Sequence, residues 1–541
     1  MASPKQFFQR FPHLFHWFAY GAAVGLFLWI CGQFYVPGKG FTYLVMFGGK
    51  ESGRYIPALR AINHYEQEDS YGYDAQYYAQ IAMRPWLSNR ALQAAVDSLP
   101  YRARRILFSW TAYGLALGDA ERALHIYSVQ NILCWLILAV VLLRWFPASS
   151  WENFFRWFGV LFSFGLCFSV RGSLVDGPSL LLIALGIMLI ELKRPWWAAA
   201  LLGVAGLGKE TNLLAAGGLP WPKPTFHAWL IAIVRGLVVV LPLMIWMEVL
   251  WLWLGSTGDA GHRNFDWPFT AYFAKWSETL AQWRAEGVGS VAQWSILMLV
   301  SMSVQWLFFV LWPRWREPWW RVGVAYSLLM AVLGNAVWEG YPGAASRVLL
   351  PMTLAFNILV PRGRQPLWWL VLLLGNLTVI FSSDTLKPPG RESYRVSGPS
   401  ELIAAAENGH RVEARFNDAE WYLPERSRLE YWRWSRGSAS ITFHNPQIFP
   451  VVAEISFDLK SNDERIVTVR SAGIVLWSGS TGRSLQEAKI RKIRLEPGAN
   501  IWTFDSDQPA ESPPNGDPRK MAFSLRNLNI AVEERAGSPA P

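Results

Sequence analysis

The segment from Glu66 to Ala82 holds the polar side chains whose types and spacing best fit catalytic chemistry. Acidic residues cluster at 66–69, Asp74 follows, and an amphipathic helix carrying Tyr77 and Tyr78 is predicted to begin there. A carboxylate in the first turn of a helix lies near the positive end of the helix dipole, which favours its ionised form. Such a group can accept the proton of an acceptor hydroxyl, so Asp74 is a candidate general base. The alternative is a helix cap in a solvated acidic loop.

Arginines follow in the segment Tyr101–Ile106, beside a short apolar stretch at 106–118. The planar guanidinium group matches the geometry of phosphate oxygens. Arg104 and Arg105 are therefore candidates for binding a phosphate group. The alternative is that these side chains extend to lipid headgroups.

Charged residues also interrupt the apolar sequence at Lys209 and Glu210. Charges flanked by apolar helices are costly unless they face a wet cavity or pair with each other. Because these two residues are adjacent, their side chains should point to different faces and have different partners.

Further charges stand at the ends of apolar stretches. Arg347 begins one such stretch, where a cation opposes the helix dipole, so an anionic partner is expected. That partner is either Glu339 or a phosphate group. Arg171 and Asp176 bracket the start of another apolar stretch and could pair with each other.

No motif for a bound metal, nucleotide or redox cofactor occurs. The HExxH, P-loop, GxSxG and Rossmann patterns are absent, and the three cysteines lie apart within apolar stretches. We therefore expect no cofactor, with a divalent metal left as an alternative that no ligand motif supports.

The elements that position these residues follow from composition. The chain has 541 residues, of which 52% are hydrophobic and only 17% charged. Its net charge of +10 lies wholly before residue 384, because the remaining tail is neutral. This pattern excludes a disordered chain, a disulfide scaffold and a soluble nucleic-acid-binding protein, and it indicates a polytopic α-helical membrane domain.

About nine membrane crossings are predicted, together with a re-entrant pair at 196–218 for which two full spans are the alternative. Lys and Arg between the apolar runs place the N-terminus in the cytoplasm and the long loop 37–123 and the tail outside. The first run is predicted to be an uncleaved helix. The runs lie at 14–36, 124–146, 153–170, 177–192, 227–254, 290–312, 319–338, 346–361 and 366–383.

After Asp384 the hydrophobic pattern changes to period two, as in 451–460, 465–477 and 493–504. This predicts a β-sandwich or jelly-roll domain over 384–541, with a helix only around 401–407. Tryptophans in this domain could stack on a glycan, and the alternative is a structural cap with buried aromatic rings. The candidates are Trp421, Trp432 and Trp434.

Residues 10–383 resemble the GT-C superfamily of integral membrane glycosyltransferases, in particular its mannosyltransferase-like bacterial members. The resemblance is carried by Gly72–Ala82, Tyr101–Ile106, Gly208–Thr211 and Ser346–Pro351, which are similar to family motifs in order and in predicted side of the membrane. The chain departs from the pattern because no Asp-x-Asp or Glu-x-Asp ends at Asp74.

The resemblance implies an inverting transfer of a sugar from a polyprenyl-phosphate donor to a cell-surface glycan or lipid-linked acceptor. It implies a bacterial inner membrane location with a periplasmic tail, no nucleic-acid partner, Asp74 as base and Asp69 as a second acid/base candidate. The donor phosphate would be held by Arg104, Arg105, Lys209 and Arg347, supported by Glu210, Tyr77, Tyr78, Arg171, Asp176 and Glu339. The alternative functions are a transporter, flippase or polymerase of lipid-linked glycans, and a non-catalytic membrane-anchored sugar-binding protein.

Overall fold

The computed structural model describes residues 14–35, 39–60, 62–67, 70–87, 90–258, 262–287, 289–340, 342–387, 394–397, 401–405, 411–426, 431–513, 517 and 519–532. Within these ranges a mainly helical part is followed by a β-rich part. The α-helices are α1 Leu14–Gly32, α2 Pro57–Arg60, α3 Ala75–Met83, α4 Arg90–Ala95, α5 Leu99–Ala103, α6 Leu107–Leu115, α7 Ala120–Val141, α8 Trp151–Leu161, α9 Phe164–Arg171, α10 Asp176–Glu191, α11 Pro195–Gly206, α12 Phe226–Leu254, α13 Thr270–Glu286, α14 Ala292–Leu311, α15 Pro318–Val332, α16 Asn335–Trp338, α17 Ala345–Val348, α18 Leu350–Leu359, α19 Pro366–Leu374 and α20 Ser382–Thr385.

Shorter 3₁₀ helices connect several of these elements. They lie at Thr42–Val45, Gly49–Arg54, Leu142–Arg144, Glu210–Gly218, His262–Asn264 and Leu377–Phe381. The strands are β1 Phe47–Gly48, β2 His64–Gln67, β3 Tyr394–Ser397, β4 Glu401–Ala405, β5 Arg411–Phe416, β6 Glu425–Arg426, β7 Tyr431–Trp434, β8 Ala439–Asn445, β9 Val451–Ser461, β10 Arg465–Ser471, β11 Ile474–Thr481, β12 Gln486–Leu495, β13 Gly498–Ser506 and β14 Phe523–Val532.

Four helices in the described residues are long and apolar enough to cross a membrane, namely α1, α7 with its 3₁₀ extension, α12 and α14. The number is six if the bent pairs α8–α9 and α19 to Thr385 each form one span. These candidate spans indicate a membrane protein. The predicted count of nine crossings stays a prediction.

The remaining apolar runs are shorter or broken in the structure. The run at 177–192 forms a helix of 16 residues, and the run at 319–338 is broken between Val332 and Asn335. The run at 196–218 forms α11 and the 3₁₀ helix, with Lys209 in extended backbone at the break. The stretch at 106–118 gives only the nine-residue α6, which is too short to span a bilayer.

Helix α3, which follows Asp74, is fixed by two buried glutamines. The Gln76 Oε1 accepts hydrogen bonds from the Gly48 N–H at 3.2 Å and the Tyr55 hydroxyl at 3.0 Å. The Gln80 Oε1 accepts a bond from the Ile56 N–H at 3.0 Å. A Cβ on Gly48 would lie 2.1 Å from the Gly72 nitrogen, so only glycine allows the chain to pass this closely before Asp74.

The C-terminal part is an antiparallel β-sandwich. One sheet has the order β11-β10-β13-β8-β5-β4 and the other β12-β9-β14-β7-β6, and side chains of both fill one core. Residues 496 and 497 join β12 to β13, and the run at 465–477 forms a hairpin. The helix expected around 401–407 is wrong, because 401–405 is strand β4, paired with β5.

Candidate active site

Asp74 directly precedes α3 but does not cap it. Its backbone is helical, with φ −49° and ψ −37°, and its carboxylate makes no capping hydrogen bond within the described part of the chain. One carboxylate oxygen instead lies 3.0 Å from Arg102 Nη2, and 35% of the side chain is exposed. The cap interpretation is therefore wrong for this side chain, and the carboxylate is free to contact a bound molecule.

Arg102 is held by more than Asp74. Its Nε and Nη2 donate to the two carboxylate oxygens of Asp97 at 3.0 and 2.7 Å. Its guanidinium carbon lies 5.0 Å from the Tyr77 ring centroid and 5.7 Å from that of Tyr78. Burial alone would lower the pKa of Arg102, but its hydrogen bonds to Asp97, followed by the interactions with Tyr78 and Asp74, raise the pKa above its ordinary value. The arginine is a fixed cation that Asp74 and Asp97 share.

A second cation, Arg105, contacts three polar groups. Its Nε donates to Glu210 Oε2 at 3.0 Å, and its two Nη atoms donate to the hydroxyls of Tyr78 and Tyr101, each at 3.2 Å. The other Glu210 oxygen, Oε1, is buried with no hydrogen-bond partner among the described residues. An unpaired buried carboxylate oxygen is costly, so this position favours a ligand that carries a donor group.

A third group surrounds Asp176, at the start of α10. Its two oxygens lie 2.6 Å from Lys209 Nζ and 3.2 Å from Arg347 Nη1, and all three side chains are buried. Arg347 Nη2 also donates to the Tyr73 hydroxyl at 2.8 Å. Lys209 and Arg347 thus share the Asp176 carboxylate, and Arg347 also contacts Tyr73, the residue that precedes Asp74.

Two of the predicted partners are wrong. Arg347 pairs with Asp176 and not with Glu339, which lies 3.3 Å from Arg263 on the surface. Arg171 does not pair with Asp176, since its guanidinium stacks on the Tyr43 ring at 4.3 Å. The expectation that Lys209 and Glu210 have different partners is confirmed, because their partners are Asp176 and Arg105.

Two candidates stand apart from this cluster. Arg104 donates to the backbone carbonyls of Thr257 and Gly258, which fix its guanidinium to the loop after α12. Asp69, the second acid/base candidate, lies outside the described residues.

The described charges of the site are balanced overall but are unevenly divided between two groups of ion pairs. Asp74 and Asp97 share Arg102, which leaves an excess negative charge at that end. Lys209 and Arg347 share Asp176, which leaves an excess positive charge at the other end. Arg105 and Glu210 pair with each other and add no net charge to the site. The site can therefore bind an anion at one end and remove a proton at the other.

The sequence alone does not single out Arg102, Asp97 or Tyr73 as candidate site residues. Arg102 belongs to the same basic run as Arg104, and the only signal separating them is the helix α5, which places Arg102 on its buried face. Asp97 lies five residues before Arg102, and nothing in its local sequence distinguishes it from a surface aspartate.

Among the described residues, no group of three or more His, Cys, Asp or Glu side chains could hold a metal ion.

The tryptophans of the sandwich differ in position. Trp421 is 1% exposed in the core, and its indole N–H donates to the Ser440 carbonyl at 2.8 Å. Trp432 and Trp434 pair with Arg526 and Ser524, whose neighbours Phe523 and Leu525 fill the core, so both tryptophans lie on the opposite face of the sheet, where they are partly buried. The Arg526 guanidinium covers the Trp432 ring at 4.5 Å. Trp421 is therefore a core residue, and of the three rings Trp434 is the best placed to contact a ligand.

We predict that Trp421→Ala destabilises the sandwich by about 3–5 kcal/mol, the usual cost of truncating a buried tryptophan. Trp434→Ala is the comparison variant and should lower the melting temperature less, because Trp434 keeps partial exposure whereas Trp421 is 1% exposed. Thermal unfolding followed by near-UV circular dichroism of the full chain measures both. Equal losses in the two variants would contradict the core position of Trp421.

The chain has no match among protein-family profiles and none among curated proteins. Among solved structures, part of it is similar to the carbohydrate-binding module CsCBM6-3 from Clostridium stercorarium, solved in complex with cellobiose. The identity is 10%, the match covers 25% of this chain and 84% of that chain, and the TM-score is 0.13. A TM-score this low leaves the sandwich assignment resting on the strand pairing described above.

Proposed function

We propose that the protein is a membrane glycosyltransferase that moves a sugar from a polyprenyl-phosphate donor to a hydroxyl group of a glycan or lipid-linked acceptor. The observation that carries this proposal is the separation of charge in one site. A partly exposed carboxylate, Asp74, lies at the negative end, and the buried cations Lys209 and Arg347 lie at the positive end.

The positive end fits the phosphate of the donor. Lys209 and Arg347 share a single carboxylate, so an entering phosphate oxygen finds a cation that is not fully neutralised. Arg347 brings a planar guanidinium whose Nη2 would exchange the Tyr73 hydroxyl for a phosphate oxygen, whereas Lys209 acts as a point charge. Arg105 adds a third cation, held in place by Tyr78 and Tyr101.

The negative end fits proton removal. Asp74 accepts the proton of the acceptor hydroxyl, whose oxygen forms a new bond to the anomeric carbon of the sugar. The bond from that carbon to the phosphate oxygen breaks, and the lipid phosphate leaves with the electron pair. Attack opposite the leaving group inverts the anomeric configuration. Lys209 and Arg347 stabilise the charge that develops on the leaving phosphate.

The proposal needs no nucleotide, because the leaving group is a lipid phosphate. The proposal also includes three predictions made from the sequence, namely nine membrane crossings, a cytoplasmic N-terminus and a site on the outer side of the membrane. On this topology the donor would enter from the outer leaflet.

The direct experiment is sugar transfer by the full-length protein in nanodiscs, with a polyprenyl-phosphate hexose as donor and cell-surface glycan as acceptor. Mass spectrometry of both products should show the acceptor gaining one sugar and the donor becoming free polyprenyl phosphate. A flippase would instead move the intact lipid-linked sugar between leaflets without cleaving it. A sugar-binding anchor would leave both molecules unchanged.

We expect Asp97→Asn to lower kcat about tenfold, which corresponds to about 1.4 kcal/mol in the barrier. Without the charge of Asp97, the Arg102 guanidinium would pair fully with Asp74 and compete with the acceptor proton for that carboxylate. Steady-state kinetics should show the loss in kcat rather than in the KM for the donor. Glu278→Gln, an exposed carboxylate on α13, is the control and should keep full activity. A change confined to the donor KM would contradict this role.

A further inference from the structure

A cavity lies near the C-terminal end of α10, away from the Asp74 site. Its volume is about 610 Å³, and its walls include Ile190, Trp221, Trp315 and Pro318. Helix α10 begins at Asp176 in the site and reaches this cavity at Ile190. Because an α-helix rises 1.5 Å per residue, Asp176 and Ile190 lie roughly 21 Å apart along α10. The cavity and the Asp74 site are therefore distinct.

The cavity is built on a rigid frame centred on Arg321. The Arg321 guanidinium donates four hydrogen bonds to backbone carbonyls, to Gly217 and Gly218 at 2.7 Å, to Trp315 at 2.8 Å and to Leu219 at 3.2 Å. These bonds tie the loop after the 3₁₀ helix to the loop before α15. Each of the three guanidinium nitrogens of Arg321 donates to a backbone carbonyl, so this arginine supports the frame of the cavity.

Arg316 is the cation at the rim of the cavity. Its side chain is exposed and has no ion pair or side-chain hydrogen bond among the described residues. Further charged residues stand within four positions of the lining residues in the sequence. The basic ones are Lys193, Arg194, Lys223 and Arg314, and the acidic ones are Glu191 and Glu317. The cavity therefore combines apolar walls with an exposed cation, Arg316, at its rim.

Two exposed tryptophans complete the cavity. Trp221 and Trp315 are 74% and 67% exposed, and the Trp315 ring is held by an edge contact to Trp320 at 4.4 Å. Indole rings of this kind concentrate at the level of lipid headgroups, where one edge is apolar and the other wet. Basic pockets between membrane helices bind the headgroups of anionic lipids.

We propose that this cavity binds one anionic phospholipid, with its phosphate on Arg316 and its glycerol and first acyl carbons between Trp221 and Trp315. Charge complementarity selects an anionic headgroup over a zwitterionic one, and the apolar walls select a lipid over free phosphate. This binding is independent of the proposed transfer reaction, because the residues of the two sites do not overlap.

The test is native mass spectrometry of the full-length protein released from nanodiscs of equimolar phosphatidylglycerol and phosphatidylcholine. The wild-type protein should retain one phosphatidylglycerol in preference to phosphatidylcholine. Arg316→Gln should lower that preference about fivefold, the effect of one arginine at a membrane surface. Trp221→Ala should lower retention of the lipid through loss of the apolar wall.

Arg364→Gln is the matched control, because it removes an equally exposed arginine that does not line this cavity. Equal retention of both lipids by the wild-type protein, or equal effects of Arg316→Gln and Arg364→Gln, would overturn the proposal. Thermal unfolding in lipid-free detergent with added inorganic phosphate tests whether the cavity binds free phosphate in place of a lipid headgroup. Stabilisation by inorganic phosphate that Arg316→Gln abolishes would identify a phosphate site in place of a lipid site.

Discussion

Asp74→Asn should abolish sugar transfer while leaving the fold intact, with kcat falling by about 10²–10⁴, the usual contribution of a general base. The amide keeps the shape of the side chain, and 35% of that side chain is exposed, so little packing is lost. It cannot accept the proton of an acceptor hydroxyl. Product formation from the polyprenyl-phosphate donor measures the effect, and the donor KM should change little because Lys209 and Arg347 remain.

Asp119→Asn is the control for this variant. Asp119 caps α7 through the Arg122 N–H at 2.8 Å, and asparagine caps a helix as well as aspartate does. The control therefore removes one carboxylate from the same predicted outer loop without weakening a helix. Full activity of a correctly folded Asp74→Asn protein would remove Asp74 from the catalytic role, and an equal loss in both variants would point to a general effect of charge.

The local sequence predicts the helical and β-rich parts of the chain and several of the charged residues of the site. The apolar runs gave candidate spans, the period-two pattern gave a β-sandwich, and charges inside apolar sequence gave Lys209, Glu210 and Arg347. Each of these predictions depends on the spacing of apolar and charged residues within one short segment and needs no knowledge of the tertiary fold. The sequence therefore reveals a site residue where a charged side chain interrupts an apolar run.

The partners of these residues could not be predicted in the same way. Arg347 binds a carboxylate 171 positions away, at the start of α10, and sequence spacing offered the nearer Glu339 instead. Which of two carboxylates an arginine meets depends on how the helices pack, because ion pairs form between whichever side chains the tertiary fold brings together. The same reason explains why Asp97 was missed.

Broken helices were also hard to predict from hydropathy. The run at 319–338 is apolar enough to appear continuous, yet the chain leaves the helical conformation at Leu333 and resumes it at Asn335. Here Gly334 passes close to the backbone of Arg263 and Asn264, and a Cβ would lie 2.4 Å from the Arg263 carbonyl oxygen. A tertiary contact overrides the local preference at that point.

Asp176→Asn should be the most destabilising single substitution of a charged residue in the site, with a loss of about 3–5 kcal/mol in the free energy of unfolding. Asp176 is 6% exposed and is the ionic partner of both Lys209 and Arg347. Its removal leaves two buried cations facing each other. Burial alone would raise the pKa of Asp176, but Lys209 and then Arg347 outweigh it and hold the pKa at about 2. The stabilisation is therefore complete above the ordinary pKa of 3.8 and is lost as the pH falls towards 2.

The measurement is thermal unfolding of the detergent-solubilised protein, with Glu339→Gln as the control. That control breaks an ion pair whose side chains are 64% and 71% exposed, and such a pair contributes at most about 1 kcal/mol. Adding Lys209→Met to Asp176→Asn removes one of the two unpaired cations and should restore part of the stability, so the two substitutions should be non-additive. Additive losses, or an Asp176→Asn protein as stable as the control, would show that Asp176 does not hold α10, Lys209 and Arg347 together.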